Sequence, residues 1–93
     1  MNKIKLILIG CGPHAKRIYL PAVEKLRERM DIELLLVVDL YAMQDSVARA
    51  INQTTFKPEM WFREPFTSEL PARLEECLSL FIKENNINGV IIA

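Results

Sequence analysis

An excess of either charge is missing from this 93-residue sequence, in which twelve basic residues balance twelve acidic ones. No net field steers the chain toward nucleic acid or an anionic membrane surface, and neither partner is expected. Long hydrophobic runs are missing too. The apolar N-terminal stretch, Ile4 and Leu6 to Ile9, is too short for a signal-peptide core with its cleavage site, and no run approaches the roughly 20 residues that span a bilayer. The cytoplasm is therefore the expected compartment. Cysteine is scarce: Cys11 and Cys77 form no C-x-x-C pair, and without a secretion signal they read as two free thiols. The single histidine, His14, has no cluster of ligand types around it, so no metal is expected. There is no low-complexity tract and no Gly/Ser linker, and a composition of 51% apolar and 26% charged residues is that of an ordinary folded domain. The length falls just short of the about 100 to 150 residues most domains use.

What the sequence does contain is concentrated at its start. Lys5-Leu6-Ile7-Leu8-Ile9 reads as a buried strand that breaks into Gly10-Cys11-Gly12-Pro13-His14-Ala15, a G-x-G-x-x-A turn, and continues as a helical pattern. The first glycine permits a sharp strand-to-helix turn, the second removes a side chain where a phosphate must approach the backbone, and Ala15 is small enough for close helix-to-strand packing. A second apolar strand ending in Asp39 supplies the context that gives this fingerprint meaning.

Strand one is expected over Lys3 to Ile9, as an almost unbroken apolar run of the sort buried on both faces of a parallel sheet. A helix should follow from about Pro13 to Met30, with Pro13 in its first turn and Ala15, Ile18, Ala22, Leu26 and Met30 as its apolar stripe. Pro21 lies inside it and should kink it, because the carbonyl of Arg17 loses its partner. Ile32 to Val38 reads as strand two, and Ala42 to Asn52 as a second helix with Val47, Ala50 and Ile51 facing inward. Thr54 to Ser68, with Phe56, Trp61, Phe62, Phe66 and two prolines, suggests a loop holding one short edge strand around Met60 to Phe62. Its interleaved Lys57 and Arg63 allow a base-stacking surface, but the neutral charge balance favours aromatics that anchor an irregular edge. Helix three should span Leu70 to Asn86, with Thr67 or Ser68 as its cap and a stripe of Leu70, Leu74, Cys77, Leu78, Phe81 and Ile82. Asn85-Asn86-Ile87-Asn88-Gly89 then turns the chain into a last strand, Val90 to Ala93. The fold expected is α/β, a partial Rossmann arrangement: a doubly wound parallel sheet of about four strands in the order 3-2-1-4, with helices on both faces.

Gly10, Cys11, Gly12, Pro13, His14 and Ala15 are the candidate pyrophosphate-binding residues, since free N–H groups and the dipole at a helix start favour negative charge. A plain tight turn is the alternative, but it leaves two glycines, a small third residue and Asp39 unexplained together. Asp39 would accept hydrogen bonds from the adenosine ribose hydroxyls, or else cap helix two. It follows the turn by more than the roughly 20 residues of the motif, which a long first helix accounts for. Leu40 and Tyr41 come next, with no adjacent cation to welcome a 2′-phosphate, so NAD is favoured over NADP. His14 could touch a phosphate oxygen or face solvent, Lys16 and Arg17 could add positive potential or be solvated, and Cys11 fits its place by size.

Gly10 to Arg17, then Tyr19-Leu20-Pro21-Ala22, Val37-Val38-Asp39 and Gly89-Val90-Ile91-Ile92-Ala93 together resemble the N-terminal Rossmann domain of the Gfo/Idh/MocA oxidoreductases. The resemblance runs the length of residues 1–93 and implies a cofactor-binding part of an enzyme that uses NAD or NADP to oxidise or reduce sugars, inositols or related polyols by hydride transfer. It carries cofactor-binding roles to Gly10, Gly12, Pro13, His14, Asp39 and Leu40. The family's Glu-Lys-Pro motif and its substrate-binding C-terminal domain are not within these residues, so no catalytic residue is assigned, and the chain is expected to be part of a longer enzyme. A stand-alone nucleotide-sensing module that self-associates through Val90 to Ile92 is the competing reading. A methyltransferase-like domain also uses a glycine turn and an acid after strand two, but Pro13-His14-Ala15 and Leu20-Pro21-Ala22 argue against it.

Overall fold

The computed structural model describes residues 3–13, 15–63 and 70–93, with the side chains of 70–73 left aside. The candidate residue His14, the candidate caps Thr67 and Ser68, and Phe66 lie outside the described residues. Strands β1 (Ile4–Ile9), β2 (Ile32–Leu40), β3 (Glu59–Arg63) and β4 (Gly89–Ile92) form one sheet in the order β3-β2-β1-β4. Every pairing is parallel. Three α-helices complete the α/β fold: α1 (Leu20–Leu26), α2 (Gln44–Asn52) and α3 (Leu70–Asn85). None of the described helices is long and apolar enough to cross a membrane.

Two clusters of buried side chains divide between the sheet faces. On one face Leu8, Leu34 and Val37 meet Ala15, Leu20 and Val23 of the first helical segment and Val47 and Ile51 of α2. On the other, Ile7, Leu36 and Val38 are covered by the half-buried Leu74, Leu78 and Phe81 of α3. Leu34 and Leu36 stand two apart, yet they serve opposite faces. The register explains this: Leu6 pairs with Leu34 but Ile7 with Leu36, so Leu35 is an extra, bulged residue. One inserted residue reverses the side-chain alternation beyond it. Val37 thereby joins the α1 and α2 face, as does Phe62, the cross-strand partner of Asp39.

The first helix departs from the expected one. Ahead of Pro21 the backbone takes a π-helical turn over Ala15–Tyr19, and a regular α-helix begins at Leu20 with Pro21 in its first turn. Proline has no N–H to donate, and the backbone widens in the turn just ahead of it while Tyr19 stays helical. The wider turn also rotates the helix after it. Of the expected stripe only Ala15 is buried; Leu20 and Val23 take over, while Ile18, Leu26 and Met30 are 51%, 46% and 41% exposed. The helix stops at Leu26, and single turns such as Arg29 N–H to the Leu26 carbonyl carry the chain to β2. This turn and the π segment supply the extra length between the glycines and Asp39.

Elsewhere the pattern holds. Val47 and Ile51 of α2 are buried. Phe56 is buried beneath the guanidinium of Arg27, 4.7 Å from the ring centroid, and Trp61 meets Phe81 edge-on at 5.4 Å. These aromatics anchor the edge. On α3, Leu74, Leu78 and Phe81 face the sheet, whereas Cys77 is exposed and Ile82 is 38% exposed, so the stripe is narrower than expected. Asn86 ends the helix at φ +54°, with the Ile87 N–H reaching the Ile82 carbonyl and the Asn85 side-chain amide donating to the Phe81 carbonyl. That is the left-handed cap asparagine tolerates. Asn88 then clamps β4 to β1 by accepting from the Lys5 N–H at 2.7 Å and donating its own N–H to the Lys5 carbonyl at 2.9 Å.

Burial on the α3 side predicts a contrast in stability. Leu36→Ala, at a fully buried site, should cost about 2 to 5 kcal/mol in urea unfolding. Leu80→Ala, at a position 57% exposed on α3, should stay within about 0.5 kcal/mol.

Candidate functional site

The site is built where β1 and β2 end side by side. Gly10 follows β1 at φ +86°, a left-handed conformation that costs other residues energy. A Cβ placed on it would stand 2.6 Å from the Ala93 carbonyl oxygen. The Gly10 N–H donates to the Val38 carbonyl and the Ala93 N–H to the Ile9 carbonyl, so the turn is pinned between β2 and β4. Gly10 is thus required by the fold itself. Gly12 is different: a Cβ there would meet nothing within 4 Å. Neither its backbone angle nor the chain's packing demands a glycine, and the open space above it suits a group that must approach the backbone closely. Pro13 has helical backbone, and the Lys16 N–H donates to the Gly12 carbonyl at 3.1 Å.

Asp39 is brought to this turn by the bulge in β2. Its Oδ2 accepts the Cys11 N–H at 2.8 Å and its Oδ1 the Leu40 N–H at 2.7 Å. A carboxylate has about four acceptor positions. Two are used, and two stay open to hydroxyl donors at a partly exposed site. The alternative role as a cap for helix two is not seen: α2 is preceded by Met43, with no side-chain cap bond. Leu40 stands 37% exposed beside it.

Cys11 and Ala15 are fully buried in the larger cluster, so both fit the turn onto the sheet by size. Burial pushes the Cys11 thiol above the ordinary thiol range; the Lys16 ammonium pulls it down and the Asp39 carboxylate pushes it up. The thiol stays protonated and unreactive at neutral pH. Lys16 donates to the Ser46 hydroxyl of α2, tying the two helix starts together, while Arg17 faces solvent.

Beyond the strand ends, on the α3 side, lies a crevice of about 600 Å³ that includes Gly10, Asp39, Leu40 and Arg63. Arg63 enters the sequence reading only through the base-stacking alternative for the edge segment, and its place at this crevice is new. Its signal was available in the parallel register, which sets the last residue of β3 beside Leu40. No family model, curated protein or solved structure matches the chain.

The two glycines should separate cleanly on substitution. Gly10→Ala should lower stability by about 2 kcal/mol or more through its forced angle and the carbonyl clash. Gly12→Ala should leave the unfolding midpoint within about 0.5 kcal/mol of the parent. Equal losses would remove the distinction between a glycine kept for the fold and one kept for a ligand.

Proposed function

We propose that the chain binds a nicotinamide dinucleotide, NAD in preference to NADP, as the cofactor-binding part of an oxidoreductase acting on a sugar, inositol or related polyol. The observation that carries this reading is the hydrogen bond from the Cys11 N–H to Asp39, which joins the glycine turn and the acid at the carboxyl ends of adjacent parallel strands. Ligands of open parallel sheets bind in the crevice outside those ends, where the strand order reverses. Here the reversal lies between β1 and β4, at Gly10. The turn would receive the pyrophosphate over Gly12, and Asp39 would accept the ribose hydroxyls with its two open positions while repelling a 2′-phosphate.

When bound, such a cofactor supplies the hydride chemistry through its nicotinamide ring. The role of these residues is to bind and orient. Cys11 keeps its proton and fills space, and no residue of the chain is assigned a catalytic part. Asp39→Ala should weaken NADH binding about tenfold or more in calorimetric titration, and NADPH binding less. Equal losses for both cofactors would show that Asp39 acts only by holding the turn.

A second reading, a nucleotide-sensing module that self-associates, is favoured by one observation. Val90 and Ile92 of β4 are 42% and 77% exposed, and among the described residues β4 pairs only with β1. An open edge with apolar side chains invites an identical strand across a two-fold axis. Ile91 packs toward the larger cluster, so the informative substitution is Ile92→Lys. Sedimentation should show an associated species that this change shifts toward monomer; a monomeric parent protein at high concentration removes this reading.

A further inference from the structure

A groove of about 930 Å³ runs between α1 and α2, on the side of the sheet away from α3, and none of Gly10, Gly12, Asp39 or Leu40 lines it. Two ties fix its walls. Lys16 donates to the Ser46 hydroxyl where the helical segments start; at the far end Thr55 gives its N–H and its hydroxyl to the Glu24 carboxylate, at 3.0 and 3.1 Å, and accepts from Arg27. The two helices therefore run in the same direction. Between the ties Lys25 and then Glu28 line the groove from one wall, Arg49 and then Gln53 from the other.

Four cations, Lys16, Lys25, Arg27 and Arg49, line it against two acids, Glu24 and Glu28, an excess of two positive charges in a chain whose net charge is zero. Glu24 and Arg27 are spent on Thr55, whereas the side chains of Lys25, Glu28 and Arg49 have no hydrogen-bond or ion-pair partner among the described residues. The Lys16 ammonium keeps two of its three donors. These groups select a ligand chemistry. A phosphate monoester carries a charge of about −1.5 to −2 near neutral pH and answers that excess, which a monocarboxylate would meet only by half. Leu20, Pro21 and Ala50 add an apolar strip to the lining. A sugar ring offers C–H groups to such a strip and hydroxyls to the polar rim. We propose that the groove binds a phosphorylated sugar, its phosphate held by Lys16, Lys25 and Arg49 and its hydroxyls by Gln53 and Glu28. The site is separate from the dinucleotide reading, because the groove shares no residue with the glycine turn or with Asp39.

The test is calorimetric titration of glucose 6-phosphate, glucose and inorganic phosphate into the parent protein, R49M and K83M, with thermal melting as a check on folding. Glucose 6-phosphate should bind the parent, and inorganic phosphate and glucose should each bind about tenfold more weakly or less. R49M removes an exposed donor from the groove and should weaken glucose 6-phosphate about tenfold, while K83M, which removes a cation from α3, should bind it as the parent does. A parent protein that binds no glucose 6-phosphate overturns the proposal, as does unchanged binding by R49M. Equal losses in R49M and K83M reduce the contact to bulk charge, and inorganic phosphate binding as tightly as the sugar phosphate removes the sugar; either overturns it. Displacement of glucose 6-phosphate by ADP-ribose would move the ligand to the glycine turn and overturn it too. Should R49M fail to fold, K25M takes its place from the opposite wall with the same expected loss, and unchanged affinity there overturns the groove as the site.

Discussion

The hydrogen bond from the Cys11 N–H to the Asp39 carboxylate is the point at which the two halves of the βαβ unit are locked together. β1 must end in a turn sharp enough to start a helix, and that turn is held from β2 by a side chain as well as by the Gly10 N–H on the Val38 carbonyl. The side chain arrives there only because Leu35 is bulged out of register. Without the bulge Leu34, Leu36 and Val38 would share one face, and the alternation would carry Asp39 to the α3 side. One inserted residue therefore sets the core on both faces and the position of the acid. Bulges are rare in parallel pairs, and they are commonly found where a side chain has to be re-aimed.

That bulge was invisible in the sequence for a physical reason. Ile32-Glu33-Leu34-Leu35-Leu36-Val37-Val38 is apolar on both faces, as a strand covered by helices on each side must be. A run without polar alternation carries no mark of phase. The strand, its parallel partner and the strand order could be read; the slip inside it could not. The wide turn ahead of α1 was hidden differently. Pro21 announced a disturbance, but a simple kink and a widened π turn ahead of the proline both accommodate a residue without an N–H. Only the second rotates the stripe, replacing Ala22 and Leu26 with Leu20 and Val23 at the sheet.

The candidate site was legible where local chemistry determines it. The left-handed angle of Gly10, the small size of Cys11 and Ala15 and the nearness of Asp39 to the turn all follow from residue types at fixed spacings. The Asp39 side chain held a surprise of degree: half of its acceptor capacity is spent on the backbone of its own chain. Arg63 was named with Lys57 on the edge segment, but its place beside Leu40 and the α3 crevice was not legible, because register with β2 and the approach of α3 are contacts that no window of sequence contains.

The two faces of the sheet are unequal, and the inequality bears on what the site can do. Among the described residues the α1 and α2 face holds Leu8, Leu20, Leu34, Val37, Val47 and Ile51 in one buried cluster, which includes the side chains that fix the glycine turn. The opposite face has three buried residues, Ile7, Leu36 and Val38, and Leu74, Leu78 and Phe81 of α3 cover them without being fully buried themselves. Apolar burial stabilises by roughly 25 cal/mol per Å², so a helix held by half-buried side chains yields before one whose contacts are complete. Local opening in proteins follows the least buried elements. The glycine turn is fixed on the side of the larger buried cluster, and the crevice beside Arg63 lies on the α3 side.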